Sequence, residues 1–368
     1  MAKIAMVFPD PKSEKGISSY SLNLIEKIKE FGTNIEEIKF TQGKSWTLFR
    51  QLLKLKKYNI IHIQHEYNLL GGYGIPYFIL LCLLGVSKKK GIIVTMHTVL
   101  SQNEKFQSGK LKTILRKILY KFQNKWISFT SAKIIVHSEA FKRVLVDEYH
   151  IKQEKVIVLP HAIMENVKLI EKSKAKRELS LSGNIYLMIG TMVPDHGQDI
   201  IVKQADKIGK TILVATNPTA VNYRNEERIK NFLNMNQEIV KDNGFDKYVR
   251  FDLGQIDNNK WWNYFAASDL ILLPYRGGIG SGIFADAMAA QKPVVASNIP
   301  YFNEFAKKYK CIKIAKDDND FARVIKESME SSNYKKMIDG CKKFISDNGL
   351  TPIAKKYKEL YDSLYKLN

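Results

Sequence analysis

The segment Asp269–Ser297, DLILLPYRGGIGSGIFADAMAAQKPVVAS, constrains the fold more than any other part of the chain. Its run Asp269–Leu273 reads as a buried strand, the glycines after it as a turn, and Ser281 as the opening of a helix. A second buried strand follows at Pro293–Ala296. Gly277, Gly278, Gly280 and Gly282 let a ligand approach the backbone closely. At the helix start, unpaired amides and the positive end of the helix dipole favour an anion. Strand, glycine turn and helix together are how a parallel α/β sheet holds a phosphate beyond the carboxyl ends of its strands. A structural turn would account for one or two of these glycines. Four of them beside Arg276 and Ser281 favour a ligand site.

The pattern recurs along the chain. Strand-like runs at Lys3–Val7, Asn59–Gln64, Gly91–Met96, Lys133–His137 and Lys155–Leu159 alternate with helical patterns at Ser18–Phe31, Gly74–Gly85, Gly109–Trp126 and Ser138–Tyr149. Strands that are apolar throughout are covered on both faces, which implies parallel sheets between layers of helix. After Pro160 the pattern breaks into a charged stretch, Glu165–Ser182. It resumes at Asn184–Ile189, Thr211–Ala215, Tyr248–Leu253, Asp269–Leu273, Pro293–Ala296 and Cys311–Ile314. At 368 residues the chain exceeds one ordinary core. The expectation is two doubly wound α/β domains, residues 1–164 and 165–350, and a last helix, 351–368, with Thr351 as N-cap and Pro352 at its first position.

Cys82, Cys311 and Cys341 are odd in number and far apart, so neither a disulfide framework nor a zinc site is expected. The N-terminus reads directly as a strand, without a leader's apolar core. The longest apolar run, Ile75 to Val86, falls short of the roughly 20 residues that span a bilayer. These features predict a cytoplasmic protein. The net charge of +21 points to anionic partners: nucleic acid, anionic lipid or a phosphorylated substrate. No zinc-finger or RRM signature accompanies it, so specific nucleic-acid binding is not expected.

In order and spacing, several segments together resemble the retaining, metal-independent nucleotide-sugar glycosyltransferases of the GT-B fold, family 4. Lys15-Gly16-Ile17-Ser18-Ser19-Tyr20 resembles the family's glycine loop after the first strand. His62-Ile63-Gln64-His65-Glu66-Tyr67 is similar to a signature of one branch, and Thr95-Met96-His97-Thr98 to the strand end bearing its active-site histidine. Pro160-His161-Ala162 stands where the family often has Pro-His-Gly, and Gly190 to Gly197 resembles its first phosphate loop. The resemblance implies two Rossmann-like domains facing across a cleft, with the last helix returning to the first domain. It also implies a nucleotide-sugar donor, a glycan or lipid-linked acceptor, and no metal or other cofactor.

Carried over residue by residue, it makes His97 and Arg276 catalytic candidates. Donor contacts would come from Gly16, Thr191, His196, Arg276, Gly278, Ser281, Gly282 and Asp286. Acceptor contacts would come from Tyr20, His65 and Glu66. Departures matter here. Thr191 and His196 stand where the family usually places an Arg and a Lys on the diphosphate. Gly278 and Asp286 stand for its Glu-x7-Glu pair, a form similar to a variant branch with Pro274-Tyr275-Arg276 and Ser281-Gly282. Charge builds on the departing diphosphate, so fixed donors aimed there are the main catalytic device. Arg276 and the amides of Ser281 and Gly282 are candidates to replace the missing cations, with His196 contributing if protonated. The plainer alternatives are a surface arginine, a turn histidine at 196 and a sheet-edge histidine at 97. His65 and Glu66 fit either the acceptor or loop structure. On a strand His62 and His65 face opposite ways, which disfavours a metal.

One further segment is weighed two ways. Leu111, Ile114, Leu115, Ile118, Leu119, Phe122 and Trp126 form one helical stripe, and Lys105–Lys125 carries no acidic residue. The plain expectation is that the stripe packs inward on the sheet and the lysines are solvated. The sharper one rests the outward lysines on an anionic membrane surface. Competing functions on the same scaffold are a degenerate glycan- or partner-binding protein and a sugar phosphorylase.

Overall fold

The computed structural model describes residues 2–14, 16–67, 69–88, 91–103, 110–217, 226–254, 256–277 and 280–366. The chain forms two units, Met1–Ala162 with Asn348–Asn368, and Ile163–Asp347. Each is built on a six-stranded parallel sheet.

The first sheet comprises β1 (Ile4–Pro9), β2 (Ile35–Phe40), β3 (Ile60–His65), β4 (Ile92–Met96), β5 (Lys133–Val136) and β6 (Val156–Val158), in the order β2-β1-β3-β4-β5-β6. Side chains alternate across a strand, so β1 feeds two cores. Ala5 and Val7 join Ile61, Ile63 and Val94 on one face. Ile4, Met6 and Phe8 join Tyr20 and Leu24 of the helix Gly16–Glu30 and Tyr357 and Tyr361 of the helix Leu350–Lys366 on the other. Strand β2 escapes the sequence reading for a physical reason. It is an edge strand whose Glu36, Glu37 and Lys39 face outward between buried Ile35, Ile38 and Phe40, so it shows no continuous apolar run. The last helix begins at Leu350, one residue earlier than its expected N-cap, which leaves Thr351 inside it.

The second sheet comprises β7 (Ile185–Ile189), β8 (Thr211–Thr216), β9 (Val249–Leu253), β10 (Leu270–Leu273), β11 (Val294–Ser297) and β12 (Ile312–Ala315). Its order is β12-β11-β10-β7-β8-β9, so strand order reverses between β7 and β10. Both of these strands are buried along their length.

The inward stripe expected near residue 115 is overturned. In the helix Lys110–Thr130 the buried residues are Tyr120, Gln123, Asn124, Ile127 and Thr130, whereas Leu111, Ile114, Leu115, Ile118 and Phe122 are exposed. Leu119 and Trp126 are half-buried. Polar groups on the inner face make one side-chain contact each, while Gln123 Oε1 and Asn124 Nδ2 have none among the described residues. Gln123 Nε2 lies 3.1 Å from His65 Nε2, and the Tyr67 hydroxyl donates to Asn124 Oδ1 at 3.1 Å. Residues 104–109, which include Lys105, lie outside the described residues. No described helix is long and apolar enough to cross a membrane.

The helix Leu350–Lys366 is pinned by Tyr361, whose hydroxyl lies 2.6 Å from Nδ1 of the buried His62. The Tyr361→Phe variant leaves that nitrogen desolvated and without a donor. It is expected to lower unfolding free energy by about 1–3 kcal/mol, read from the urea midpoint; an unchanged midpoint would show the bond contributes nothing.

Candidate functional site

In an open parallel sheet, ligands bind beyond the carboxyl ends of the strands where strand order reverses. In the second unit that place lies between the loops after β7 and β10. The two loops touch. Gly197 sits at φ 67°, and a Cβ there would fall 1.9 Å from Pro274 O, so only glycine fits. The Arg276 amide donates to Asp195 O at 2.9 Å, and the His196 ring stacks on Tyr275 at 4.8 Å.

Ser281 caps the helix Gly282–Ala289, its Oγ accepting from the Phe284 amide at 3.1 Å and lying 3.0 Å from the Tyr275 hydroxyl. The Ser281 amide is turned to the Tyr301 hydroxyl. The next amides, Gly282 and Ile283, have no acceptor among the described residues, and a Cβ at Gly282 would meet nothing within 4 Å. Those amides lie at the positive end of the helix dipole. Gly278 lies outside the described residues.

The candidate cations are largely engaged. Arg276 makes a two-pronged bond to the buried Asp199, Nη1 to Oδ1 and Nη2 to Oδ2, both at 2.8 Å, and Nη1 also donates to Pro194 O at 2.6 Å. Burial pushes the Asp199 carboxyl up, but the bonds and charges of Arg276 and Lys203 outweigh it and hold the pKa below the ordinary carboxylate value. The arginine's charge is thus neutralised, while N–H groups on Nε and Nη2 keep no partner among the described residues. His196 donates Nδ1–H to Thr191 O at 2.7 Å, and burial lowers its pKa, so it is a neutral ring with Nε2 as an acceptor. Thr191 contributes its carbonyl to that bond. Asp286 accepts from Trp261 Nε1 at 3.1 Å; burial pushes its pKa up to about 7, against the pull of that bond.

In the first unit, polar residues gather at the ends of β3, β4 and β5. His97 Nε2 lies 2.8 Å from Gln64 Oε1, His97 Nδ1 3.4 Å from His137 Nε2, and His137 Nδ1 2.9 Å from Leu159 O. Both ends of this row are carbonyl oxygens, and two neutral rings carry only two protons for its three bonds. Desolvation lowers the His137 pKa to about 4 and holds His97 well below its ordinary value, so a shared extra proton is disfavoured. A reversed Gln64 amide, donating N–H to His97, satisfies the row with neutral rings. Both His97 nitrogens are then occupied within the protein.

Tyr20 is buried, its ring 4.4 Å from that of His161 and edge-on to His97 at 5.3 Å, its hydroxyl 3.3 Å from Tyr357. His65 is buried against Gln123. Glu66 is exposed by surface area yet crowded by neighbouring protein, so burial, followed by the Glu14 charge, raises its pKa. At Gly16 the amide donates to Glu14 Oε1 at 2.6 Å and the Ser18 amide to Oε2 at 3.1 Å. An internal carboxylate thus sits on the helix start that the glycine loop offers to a diphosphate. Tyr20, His97, His137 and His161 form one cluster, whereas His65 belongs to the inner face of the helix Lys110–Thr130.

Gln64, His137, Asp199 and Trp261 escaped the sequence reading. His137 ends a strand as His97 does, and Asp199 is a buried acid opening a helix; those two positions were the signals available. Among the described residues, no group of three or more His, Cys, Asp or Glu is arranged to hold a metal.

The second unit is thus a doubly wound α/β fold with a capped helix N-terminus at its switch point, and comparison narrows the class. Residues 8–165 match the profile described as Glycosyltransferase Family 4, and residues 170–343 that of Glycosyl transferases group 1. Together they take in most of the chain, which belongs to the family 4 type of GT-B glycosyltransferases. Solved structures share its fold. A glycosyltransferase from Rickettsia africae is 15% identical with a TM-score of 0.72, over 100% of this chain and 99% of that one. Sucrose-phosphate synthase from Thermosynechococcus elongatus is 15% identical with a TM-score of 0.75, over 100% of both. HepE from Anabaena, in complex with UDP and glucose, is 14% identical with a TM-score of 0.71, over 99% and 100%. No curated protein matches the sequence.

Two pH dependences of opposite sign follow. Burial holds His62, His65 and His161 down to about 3 and His137 to about 4, so these rings are neutral in the fold and protonate on unfolding below their ordinary pKa of 6.5. The unfolded chain then binds more protons, and stability falls as pH drops. A loss of at least about 2 kcal/mol is expected between about pH 6.5 and pH 5, by urea titration, with a flat profile as the contrary result. Asp286 works the other way. Its folded pKa of about 7 exceeds the ordinary 3.8, so the stability its protonated form contributes is lost as pH rises through that window. Asp286→Asn is expected to raise stability near pH 8 by about 1–3 kcal/mol and change it little near pH 4; equal effects at both would contradict the assignment.

Proposed function

We propose that this chain is a retaining, metal-independent glycosyltransferase that moves a hexose from a nucleotide-diphosphate sugar to a glycan or lipid-linked acceptor. The observation that carries the reading is the helix N-terminus at Gly282 and Ile283, whose amides have no acceptor among the described residues, set against the loop held in place by Gly197. A departing diphosphate needs fixed donors where its charge builds, and main-chain amides on a helix dipole supply them without a full cation. The unpartnered N–H groups of Arg276 add two more. Asp286, one turn into the same helix, is a carboxyl suited to ribose hydroxyls. Within the first unit, His97 at the end of β4 and Glu66 after β3 are the residues suited to sugar and acceptor contacts. Tyr20 and His137 act through His97 rather than on substrate. HepE, which shares the fold, is a protein solved with UDP-glucose, and that supports a nucleotide-sugar donor here.

Front-face transfer needs no protein nucleophile, because the diphosphate itself takes the acceptor's proton as the glycosidic bond breaks and the new one forms on the same face. The neutral His97 suits this role: it orients the strand end and leaves no charge to compete with the oxocarbenium character of the sugar. A second reading, nucleotide binding without turnover, is favoured by the Arg276–Asp199 pairing and the neutral His196, which commit both candidate cations within the protein.

The test begins with thermal shift against UDP, GDP, ADP and their sugar conjugates. One of these is expected to stabilise the fold by about 2.7 kcal/mol at a hundredfold excess over Kd. With the matching donor, NMR of the product is expected to show the donor's anomeric configuration, at a rate unchanged by EDTA. His97→Ala is expected to lower kcat by about 10²-fold through displacement of the strand end it orients. Binding without turnover of any donor would establish the second reading, and no stabilisation by any nucleotide would sink both.

A further inference from the structure

The outward stripe of the helix Lys110–Thr130 is the largest feature that sugar transfer leaves without a role. At about 100° per residue, Leu111, Ile114, Leu115, Ile118, Phe122 and Phe129 fall within an arc of about 100°. That arc lies on the side opposite Tyr120, Gln123 and Ile127, the residues that pack on the unit. All six are more than half exposed, from 54% at Ile114 to 72% at Leu111. A soluble helix shows the reverse pattern, apolar toward the core and polar toward water. Trp126 extends the stripe, stacked on Phe122 at 5.9 Å and tilted against Phe129 at 5.8 Å. The neighbouring helix Ile75–Lys88 carries exposed apolar residues of its own, Ile75, Ile79 and Leu83.

The charges identify what covers it. Lys110, Lys117 and Lys121 flank the stripe on one side, Lys125 falls within its arc, Lys112 lies on the other side, and the helix has no acidic residue. Long cationic side chains beside an apolar stripe can sink their stems and raise their heads to a headgroup layer. Burying the stripe against a second copy of this chain would instead bring two rows of like charge together. An anionic bilayer surface satisfies both the apolar area and the cations.

We propose that the helix Lys110–Thr130 lies in the plane of an anionic lipid surface, with Leu111, Ile118 and Phe122 entering the acyl boundary and the flanking lysines on lipid headgroups. The lysines alone do not hold the protein; the stripe itself inserts. The orientation follows from the fold. Tyr120, Gln123, Asn124 and Ile127 face the protein, so the helix docks without leaving its unit. The inference does not depend on detecting sugar transfer, because binding to lipid is its own readout.

The test is co-flotation of the full chain with vesicles. One set is phosphatidylcholine alone, and the other carries roughly 30 mol % phosphatidylglycerol, an anionic fraction large enough to give the surface a negative potential. Binding to the anionic vesicles is expected to be at least about tenfold tighter and to weaken with salt. The variant Leu115→Ser/Ile118→Ser/Phe122→Ser alters only exposed positions, so its melting temperature should be unchanged while anionic binding falls at least about tenfold. Lys117→Gln/Lys121→Gln/Lys125→Gln should also lose binding and flatten the salt dependence. Equal binding to both vesicle types would overturn the proposal, as would full binding by the serine variant. A concentration-dependent dimer in sedimentation, abolished by the serine variant in a protein that ignores vesicles, would assign the stripe to a second copy instead.

Discussion

A parallel sheet covered on both faces leaves polar chemistry one place to go, the ends of its strands. Along β3, β4, β7 and β10 every residue is buried, and among them only His62, Gln64, His65 and Thr95 are polar. Those four find partners inside the fold: Tyr361, His97, Gln123 and one another. The rest of the structure follows from this constraint. Loops after the strands carry the glycines, the capping serine and the histidines, because water or a ligand is within reach only there. Desolvation at these positions then decides protonation. It leaves the histidines uncharged and a carboxyl at Asp286 half-protonated near neutrality.

The proposed anion site of the second unit rests on an unusual division of labour. Where two basic side chains would meet a diphosphate in the wider family, this chain has Thr191 and His196, and the histidine ring is tied to the Thr191 carbonyl. Arg276, the nearest alternative, is clasped by Asp199, an acid with 5% of its side chain exposed. The clasp fixes the guanidinium plane and stitches the loop after β10 to the helix after β7. What remains for a ligand is directional hydrogen bonding from main-chain amides and two arginine N–H groups, a field of partial rather than whole charges. Such a site discriminates by geometry more than by net charge, which fits a chain whose surface already carries a large positive excess.

Most of the architecture was legible because the central strands are written in apolar runs. Eleven of the twelve described strands coincide with runs read from the sequence, to within a residue or two at their ends, the edge strands β9 and β12 among them despite their charged residues. The exception, β2, carries three charged residues in six. The candidate site was legible as loops and much less so as side-chain roles. Nothing in a single sequence tells that Arg276 will find Asp199, seventy-seven positions away, or that Glu14 will turn back onto the helix start at Gly16. Those are short-range electrostatic choices between partners that only the fold brings together. The helix Lys110–Thr130 marks a different limit. Its period was plain, but periodicity gives two faces without saying which is inside. In the fold Gln123 and Asn124 lie inside with one side-chain contact each, and seven apolar positions could not predict it.

The helix Leu350–Lys366 belongs to the same unit as β1 and β3, although the whole of the second unit separates them along the chain. During synthesis, all six strands of the first sheet leave the ribosome long before Tyr357 and Tyr361 are made. Until then the layer formed by Ile4, Met6 and Phe8 lacks its cover, and His62 waits for the hydroxyl that completes it. Domains generally fold as they emerge, N-terminal first. Here the order is inverted: the part of the protein translated first is the part completed last, and chaperone protection of its open face would be needed through most of the chain's elongation.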